Sequence, residues 1–370
     1  MTESRDSLPQ PRKRGAGVLG RVARYALFAL CIVLFGHALA QSDLRAAWER
    51  IQSLGPRAAL ILIPFPIGLA FDVIAWQRLL ATLGCKVDFR LLYRTRLITE
   101  AVTNTTPMGA VWADAVTPSL VSARANVSAI DVLASQMAKR WLLVRTHGLY
   151  VATAAALGAT AVQRASHALG LGDWLIILVL ASALGLLLFA FGMEWLAARA
   201  QVVGRLSKRL GRARWLPIAS WISKRHASFA AADTQLARLA DDKSVAVRTH
   251  LRLAVTWVLE GFETYLILRL LGAPLGLVEV MSFDAALSIV RSVAVFAPAG
   301  IGVQDVGYLA VLEAYGVPNA AGIGPAFVVL KRAKELLFVA IGFLLFAQSR
   351  RRPSTESVQR AQTSEADVKT

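Results

Sequence analysis

Charged side chains recur within the apolar stretches of this sequence, where a charge is costly unless it faces a partner or a polar cavity. These candidate residues are Asp72, Glu100, Asp114, Glu260, Glu263, Arg291, Asp305, Glu313, Lys331, Arg332, Lys334 and Glu335. The planar guanidinium group of arginine binds two phosphate oxygens at once, so we predict that Arg291 and Arg332 contact an anionic group of a ligand. We assign five further residues to the same substrate-binding site: Asp305, Asp114, Glu100, Glu260 and Lys331. The two aspartates are expected to hold helix starts or to pair with these cations.

Several of these residues have a structural alternative. In this alternative, the side chain of Arg291 extends to a membrane interface or forms an ion pair with Glu100. In the corresponding alternative for Lys331 and Lys334, the two side chains anchor the outer end of their helix at the membrane interface. Under these alternatives the four residues stabilise the protein and do not contact a ligand.

Glu260 and Glu263 are three residues apart and share one helix face with Trp257. Buried carboxylates with raised pKa values can carry protons, and the alternative is that the pair contacts a neighbouring helix. The sequence has no HExxH, CxxC, Walker or GxSxG motif, and its histidines lack metal-ligand spacing. We therefore predict no catalytic residue, no metal and no cofactor.

Two stretches of apolar sequence are interrupted in the same way. TPMGAVWADAV at 106–116 and APAGIGVQDVGYL at 297–309 each place a glycine two positions, and an aspartate seven positions, after a proline. The predicted helix-break residues are Pro107, Gly109, Pro298, Gly300 and Gly302. Broken backbone cannot face lipid because its polar groups would lack partners, so both breaks are expected to face protein or a polar cavity. A helix that restarts there favours an anion at its N-terminus, although proline and glycine also mark ordinary helix starts.

The composition predicts an all-α polytopic membrane protein. Of the 370 residues, 56% are hydrophobic and only 18% are charged, and the mean hydropathy is +0.52. Spans of about 20 apolar residues are predicted at 24–41, 58–83, 141–162, 174–196, 250–271 and 326–347. The weaker apolar regions 101–123 and 282–316 contain the breaks and are predicted to be re-entrant hairpins.

The positions of lysine and arginine predict the orientation. The tails 1–20 and 349–370, both expected to be disordered, and the loop 197–249 carry most of the net charge of +17 and are expected to be cytoplasmic. Because this distribution accounts for the positive net charge, we do not expect the protein to bind nucleic acid. Region 84–140 then begins and ends inside, and region 272–325 begins and ends outside. The two hairpins should therefore enter the bilayer from opposite faces.

The interruptions also have matching lead-ins. Asp72 lies twelve residues before Gly84, and Glu260 lies twelve residues before Gly272. Similar halves of opposite orientation indicate inverted repeats, which we place at about 58–123 and about 250–316. Such repeats enclose a substrate site near the middle of the membrane.

The run FAPAGIGVQDVGYLAVLEAYGV, followed by PAFVVLKRAKELLFVAIGFLLF, resembles the flippase-like membrane domain of the lysylphosphatidylglycerol synthase family. Relatives carry a P-x-G-[IL]-G-x-x-[ED] motif and then a basic or polar patch that opens the last span. The matching residues here are Pro298, Gly300, Gly302 and Asp305, then Lys331, Arg332, Lys334 and Glu335. The resemblance covers the membrane domain, residues 21–348. The segment from Gly302 to Tyr308 and the KRAKEL segment are most similar to the branch found with hopanoid biosynthesis.

The resemblance implies a domain that moves lipids between leaflets, with the aminoacyl transfer of the lysyl enzymes located in a separate soluble domain. We therefore expect a transporter, not an enzyme, in the bacterial inner membrane with both termini cytoplasmic. Its expected substrate is a phospholipid or hopanoid-type lipid, and its expected partners are membrane lipids and lipid-biosynthesis enzymes. Two alternatives stay open: an intramembrane lipid-modifying transferase whose paired acids act as bases or metal ligands, and a non-catalytic scaffold of a lipid-synthesis complex.

Overall fold

The computed structural model describes residues 43–106, 109–199, 226–294 and 303–351. Within these ranges all regular secondary structure is helical, which confirms the predicted all-α class. The helices are α1 (Leu44–Leu54), α2 (Pro64–Thr82), α3 (Phe89–Thr105), α4 (Gly109–Ala125), α5 (Ala129–Leu157), α6 (Ala159–Ala168), α7 (Trp174–Arg199), α8 (His226–Asp241), α9 (Lys243–Leu270), α10 (Leu277–Ala294), α11 (Val303–Ala314) and α12 (Ala320–Arg351). A 3₁₀ helix, Gly55–Leu62, joins α1 to α2.

Helix α7 has the surface of a membrane-spanning helix. Trp174 and Trp195, near its two ends, are 64% and 55% exposed, and apolar side chains between them, such as Leu184 and Phe189, are exposed as well. A rise of about 1.5 Å per residue places the two tryptophans roughly 30 Å apart, which matches the hydrocarbon thickness of a bilayer. This spacing fits the aromatic belts at the two interfaces. Among the described residues, 44–82 and 174–196 are the stretches long and apolar enough to cross a membrane by length and composition.

Some helix boundaries differ from the predicted spans. The predicted span 141–162 is divided at Gly158, where α5 ends and α6 begins. A Cβ atom on Gly158 would lie 2.3 Å from the Cβ of Ser282, so α10 approaches the chain closely at the division. Helix α12 begins at Ala320, before the predicted start at 326. The predicted span 24–41 lies outside the described residues.

The predicted loop 197–249 contains helical structure. It includes α8 and the first residues of α9, while residues 200–225 lie outside the described part of the chain. Asp242 caps α9: its side chain accepts a hydrogen bond of 3.0 Å from the backbone N–H of Val245. This bond to the carboxylate holds the pKa of Asp242 below its ordinary value. The strong cap explains why α9 begins several residues before the predicted span at 250.

Both interrupted regions form helical hairpins. Helices α3 and α4 pack side by side and are separated by a short break that ends at Gly109, as predicted. Helices α10 and α11 form the second hairpin, with Asp305 in the first turn of α11. The other predicted break residues, Pro107, Pro298, Gly300 and Gly302, lie outside the described residues. Re-entry of the hairpins from opposite membrane faces stays a prediction.

The lead-ins to the two hairpins end with the same backbone geometry. Gly84 and Gly272 follow α2 and α9 with left-handed φ values of +79° and +84°, which favour glycine. In each case the N–H of the next residue donates to the carbonyl five positions earlier, at 2.9 Å. This pattern is the Schellman motif, and it satisfies carbonyl groups that would otherwise be unpaired at a helix end.

Helices α2 and α9, which precede the two hairpins, pack against each other in opposite directions. Gly68, near the start of α2, lies against Leu259, toward the end of α9. Leu79, near the end of α2, shares a hydrophobic cluster with Leu253, nearer the start of α9. The antiparallel packing agrees with opposite orientation of the two lead-ins, and the inverted repeat stays our interpretation of it.

The break at Gly109 provides a stability test. A Cβ atom at this position would lie 2.1 Å from the backbone oxygen of Thr103, so Gly109→Ala forces α4 away from α3. We expect a loss of about 1–3 kcal/mol in the free energy of unfolding, the usual cost of overpacking. The measurement is thermal unfolding of the purified protein in detergent.

Gly185→Ala is the matched control. Gly185 lies within α7 and has no atoms within 4 Å of an added Cβ, so this alanine should leave stability unchanged or raise it. Equal unfolding temperatures for the two variants would contradict the close packing at the break.

Candidate functional site

A cavity of about 270 Å³ lies between α2, α3, α9 and α12. Its charged lining residues are Asp72, Arg96, Glu100, Glu260, Glu263, Lys331, Lys334 and Glu335. Apolar and aromatic side chains, among them Phe65, Trp257 and Phe338, complete the wall. A concave site with both kinds of surface is suited to bind a polar group attached to an apolar one.

The first network of ion pairs joins α2, α3 and α5. The buried carboxylate of Asp72 accepts hydrogen bonds from Lys139 Nζ at 2.8 Å and Arg96 Nε at 3.0 Å. Arg96 also donates from Nη1 to Glu100 at 2.7 Å, and the amide of Asn104 donates to the same carboxylate at 3.2 Å. Two carboxylates and two cations balance each other, so the network fixes three helices without a net buried charge.

The second network joins α9, α11 and α12. Arg332 donates to Asp305 Oδ1 from Nε at 3.0 Å and from Nη2 at 2.7 Å, and its Nη1 donates to Glu335 at 2.6 Å. Lys334 Nζ donates to Glu263 at 2.5 Å. Three of these side chains are buried: Asp305, Glu263 and Lys334. Because little water reaches them, their charges are stabilised by their ion-pair partners.

Two carboxylates of the cavity lie well inside their helices. Asp72 is ten residues from the end of α2 at Thr82, and Glu260 is ten residues from the end of α9 at Leu270. At about 1.5 Å per residue, each carboxylate lies roughly 15 Å from its helix end. That distance is about half the hydrocarbon thickness of a bilayer.

The two hairpins meet at the same part of α12. Glu100 and Asn104, in the last turns of α3, line the cavity together with Glu335 of α12. Asp305, in the first turn of α11, pairs with Arg332, which also bonds Glu335. The last turns of α3 and the first turn of α11, each next to the break in its hairpin, therefore contribute to one charged region.

Aromatic rings surround several of the cations. Lys331 Nζ lies 5.2 Å from the ring centroid of Tyr308 and 5.8 Å from that of Phe327. Lys334 Nζ lies 5.1 Å from the ring centroid of Phe65. These rings give the cations a favourable electrostatic environment away from water.

The structure brings most of the predicted substrate-binding residues together. Glu100, Glu260 and Lys331 line the cavity, and Arg332 and Asp305 border it through their ion pair. The expectation that an aspartate pairs with one of these cations is confirmed for Asp305. Direct contact of these side chains with a substrate stays a prediction.

Other predicted residues lie elsewhere. Asp114 does not line the cavity: it pairs with Arg140 at 2.6 Å, and both side chains are partly exposed. Arg291 is in α10, and its side chain lies outside the described residues. The interpretation of Lys331 and Lys334 as interfacial anchors is wrong, because they are only 6% and 7% exposed and line the cavity.

The predicted shared face of Glu260, Glu263 and Trp257 is confirmed, since all three residues line the cavity. Glu263 pairs with Lys334 of α12, so the alternative of contact with a neighbouring helix holds for this carboxylate. Glu313 is exposed and takes no part in the cavity.

Three residues of the site were missed by the sequence interpretation: Arg96, Asn104 and Lys139. Arg96 and Lys139 lie outside every predicted span and interrupted region, so the hydropathy pattern alone does not predict their inward contacts. The spacing of Arg96 and Glu100, four residues apart on one helix, is a signal for their pairing that the sequence does contain. Lys139 has no local signal, because its partner Asp72 is distant in sequence.

A second polar cluster lies outside the cavity, between α5, α7 and α9. Arg145 donates to Glu194 and to Nε2 of His250, and Thr146 Oγ1 lies 3.2 Å from Nδ1 of the same imidazole. These contacts tie three helices together. Over the four described ranges, no group of three or more His, Cys, Asp or Glu side chains is placed to hold a metal ion.

Comparison with known proteins identifies one family. The family described as "Lysylphosphatidylglycerol synthase TM region" matches residues 21–342, nearly the whole of the chain. No curated protein matches the chain.

The Asp72–Lys139 pair can be tested by a double-mutant cycle. Asp72→Asn leaves the buried Lys139 without its anion and should cost about 3–5 kcal/mol of unfolding free energy. Asp72→Asn combined with Lys139→Met should recover much of that loss, because Arg96 keeps Glu100 as its partner. Thermal unfolding in detergent measures both variants.

Glu49→Gln is the control, since Glu49 forms an exposed pair with Arg45 and its loss should cost less than about 1 kcal/mol. Strictly additive losses in the double variant would show that Asp72 and Lys139 do not depend on each other.

Proposed function

The chain belongs to the lysylphosphatidylglycerol synthase transmembrane family, and on that premise we propose that it moves an amphipathic lipid between the two leaflets of a bilayer. The lipid's polar headgroup passes through the charged cavity, and its apolar part stays in the surrounding hydrocarbon. Family membership supports a multi-pass membrane protein with a lipid-related role. The observation that carries the proposal is a charged cavity between α2, α3, α9 and α12, with Asp305 of the second hairpin linked to its wall through Arg332 and Glu335.

The size of the cavity supports passage of a headgroup alone. Its volume of about 270 Å³ is near the lower limit of sites that hold a whole small molecule, which run from about 300 to 1,000 Å³. A phospholipid or hopanoid-type lipid is much larger than this. The acyl or polycyclic part must therefore remain outside the cavity while the headgroup occupies it.

The charges of the cavity address the main barrier to this movement. A charged group at the centre of a bilayer costs at least about 2.5–3.5 kcal/mol, and it must cross about 30 Å of hydrocarbon. Both carboxylates and cations line the cavity, so either sign of headgroup charge finds an opposite charge in its wall. These charged side chains thereby take over part of the stabilisation that water gives the headgroup outside the hydrocarbon.

The two networks also suggest how the path alternates between the leaflets. The first network ties the end of the α3–α4 hairpin to α2 and α5, and the second ties the end of the α10–α11 hairpin to α12. A headgroup charge that competes with one of these pairs loosens the hairpin it holds. The opposite network then keeps the other side closed, as expected of transporters built from two similar halves.

Glu260→Gln tests the proposal at a cavity residue. The substitution keeps the size of the side chain and removes its charge, so it should remove a charge-assisted contact worth about 1.5–3 kcal/mol. We expect translocation to slow by about tenfold or more. The measurement uses proteoliposomes with a fluorescent phospholipid whose outer-leaflet fraction is quenched by a membrane-impermeant reductant.

Glu49→Gln, an isosteric change of an exposed carboxylate on α1, is the matched control and should translocate at the wild-type rate. Equal rates for the two variants contradict a role for the cavity. Formation of a modified lipid without translocation identifies an intramembrane transferase, and the absence of both leaves a scaffold.

A further inference from the structure

The charged cavity has one wall that is closed by side chains alone. Helices α2 and α12 share hardly any backbone contacts, although both line the cavity. The rings of Phe65 and Phe338 bridge the space between them, with centroids 4.4 Å apart and planes tilted by 45°. We call this space, with these two rings, the seam.

The seam is apolar behind the rings. Phe338 belongs to a small hydrophobic cluster with Leu69 of α2 and Leu97 of α3, and Phe65 packs against the same cluster. Leu62, three positions before Phe65, and Ile341, three positions after Phe338, pack against the same cluster and are partly exposed. Apolar side chains thus continue from the cavity wall toward the lipid-facing surface.

Helix α3 closes the seam one turn farther along α12. A Cβ atom on Gly342 would lie 2.5 Å from the backbone oxygen of Leu97, so the two helices touch through their backbones there. Phe338 lies four positions earlier, where the described contacts with α2 are between side chains: its ring meets that of Phe65, and it shares an apolar cluster with Leu69. Side-chain rotation opens a ring contact, whereas backbone packing resists separation.

Phe65 also faces the charges of the cavity. Lys334 Nζ lies 5.1 Å from the centroid of its ring, and Lys334 pairs with Glu263. The same ring therefore contacts a cation on one side and an apolar cluster on the other. This is the boundary that an amphipathic lipid needs, with its headgroup among charges and its chain among apolar groups.

We propose that Phe65 and Phe338 form a lateral portal that admits the acyl chain of a lipid into the seam while the headgroup occupies the cavity. The proposal deepens the proposed function, on which it partly rests, by naming the route by which the apolar part of the substrate reaches the protein. The portal is a chain-binding site in its own right, so it can be tested separately from transport.

The test uses a phospholipid with a photoactivatable diazirine in its acyl chain, added in increasing amounts to phosphatidylethanolamine–phosphatidylglycerol proteoliposomes. Peptide mass spectrometry locates the labelled residues. Labelling near Phe65 and Phe338 should saturate, because a site fills. Labelling of the lipid-facing residues of α7, such as Leu184, should rise in proportion to the probe.

Substitutions make the test specific to the two rings. Phe65→Trp with Phe338→Trp fills the seam and should lower the saturable labelling several-fold. Phe343→Trp, at an exposed position of α12, is the matched control and should leave it unchanged. Phe65→Ala with Phe338→Ala opens the seam and should extend labelling to Leu69. This second variant provides the test if the tryptophan variant does not fold.

The outcomes separate the portal from the flippase activity. Saturable labelling at the rings without translocation supports the portal as a lipid-binding site and contradicts the proposed function. Translocation with labelling that is proportional everywhere, or that the ring substitutions do not change, overturns the portal and leaves the proposed function in place.

Discussion

A charge inside a membrane protein needs a partner, and this requirement organises the centre of the molecule. Asp72 is buried and has two cations as partners, one from α3 and one from α5. Arg332 likewise joins a carboxylate of α11 to one in its own helix. Loss of one partner leaves a buried charge, so the helices that carry these residues are held in one relative arrangement. Structural stability and a polar interior thus come from the same side chains.

Backbone groups impose a similar constraint at the ends of the helices. Gly84 and Gly272 adopt left-handed conformations that close α2 and α9 with the same hydrogen bonds. Gly109 restarts the first hairpin in a place where no side chain fits. At Gly84 and Gly272 the chain turns out of its helix while carbonyl groups of the last turn stay hydrogen-bonded. The last turns of α3 and the first turn of α11 lie at the charged part of α12, beside the cavity.

Sequence patterns predicted the helical class, both hairpins and several cavity residues, because those signals are local. The proline-glycine breaks, the shared face of Glu260 and Glu263, and the glycine after each lead-in are all visible within a few residues. The different environments of Asp114 and Asp305 cannot be predicted from the sequence, since both residues have the same spacing after a proline. Their surroundings separate them: Asp114 meets Arg140 at a partly exposed site, whereas Asp305 is buried against Arg332. The division at Gly158 likewise depends on Ser282, which is distant in sequence.

The account depends most on a charged cavity that is open to water and lies beside the helices to which both hairpins are tied. Access of a membrane-impermeant, water-soluble thiol reagent to single cysteines in a cysteine-free background measures this directly. Asn104→Cys and Glu335→Cys line the cavity from the first hairpin and from α12, and both should react. Leu184→Cys, on the lipid-facing surface of α7, should not. If the two cavity cysteines were as unreactive as the one at 184, the charged region would be a dry structural core and the transport account would be wrong.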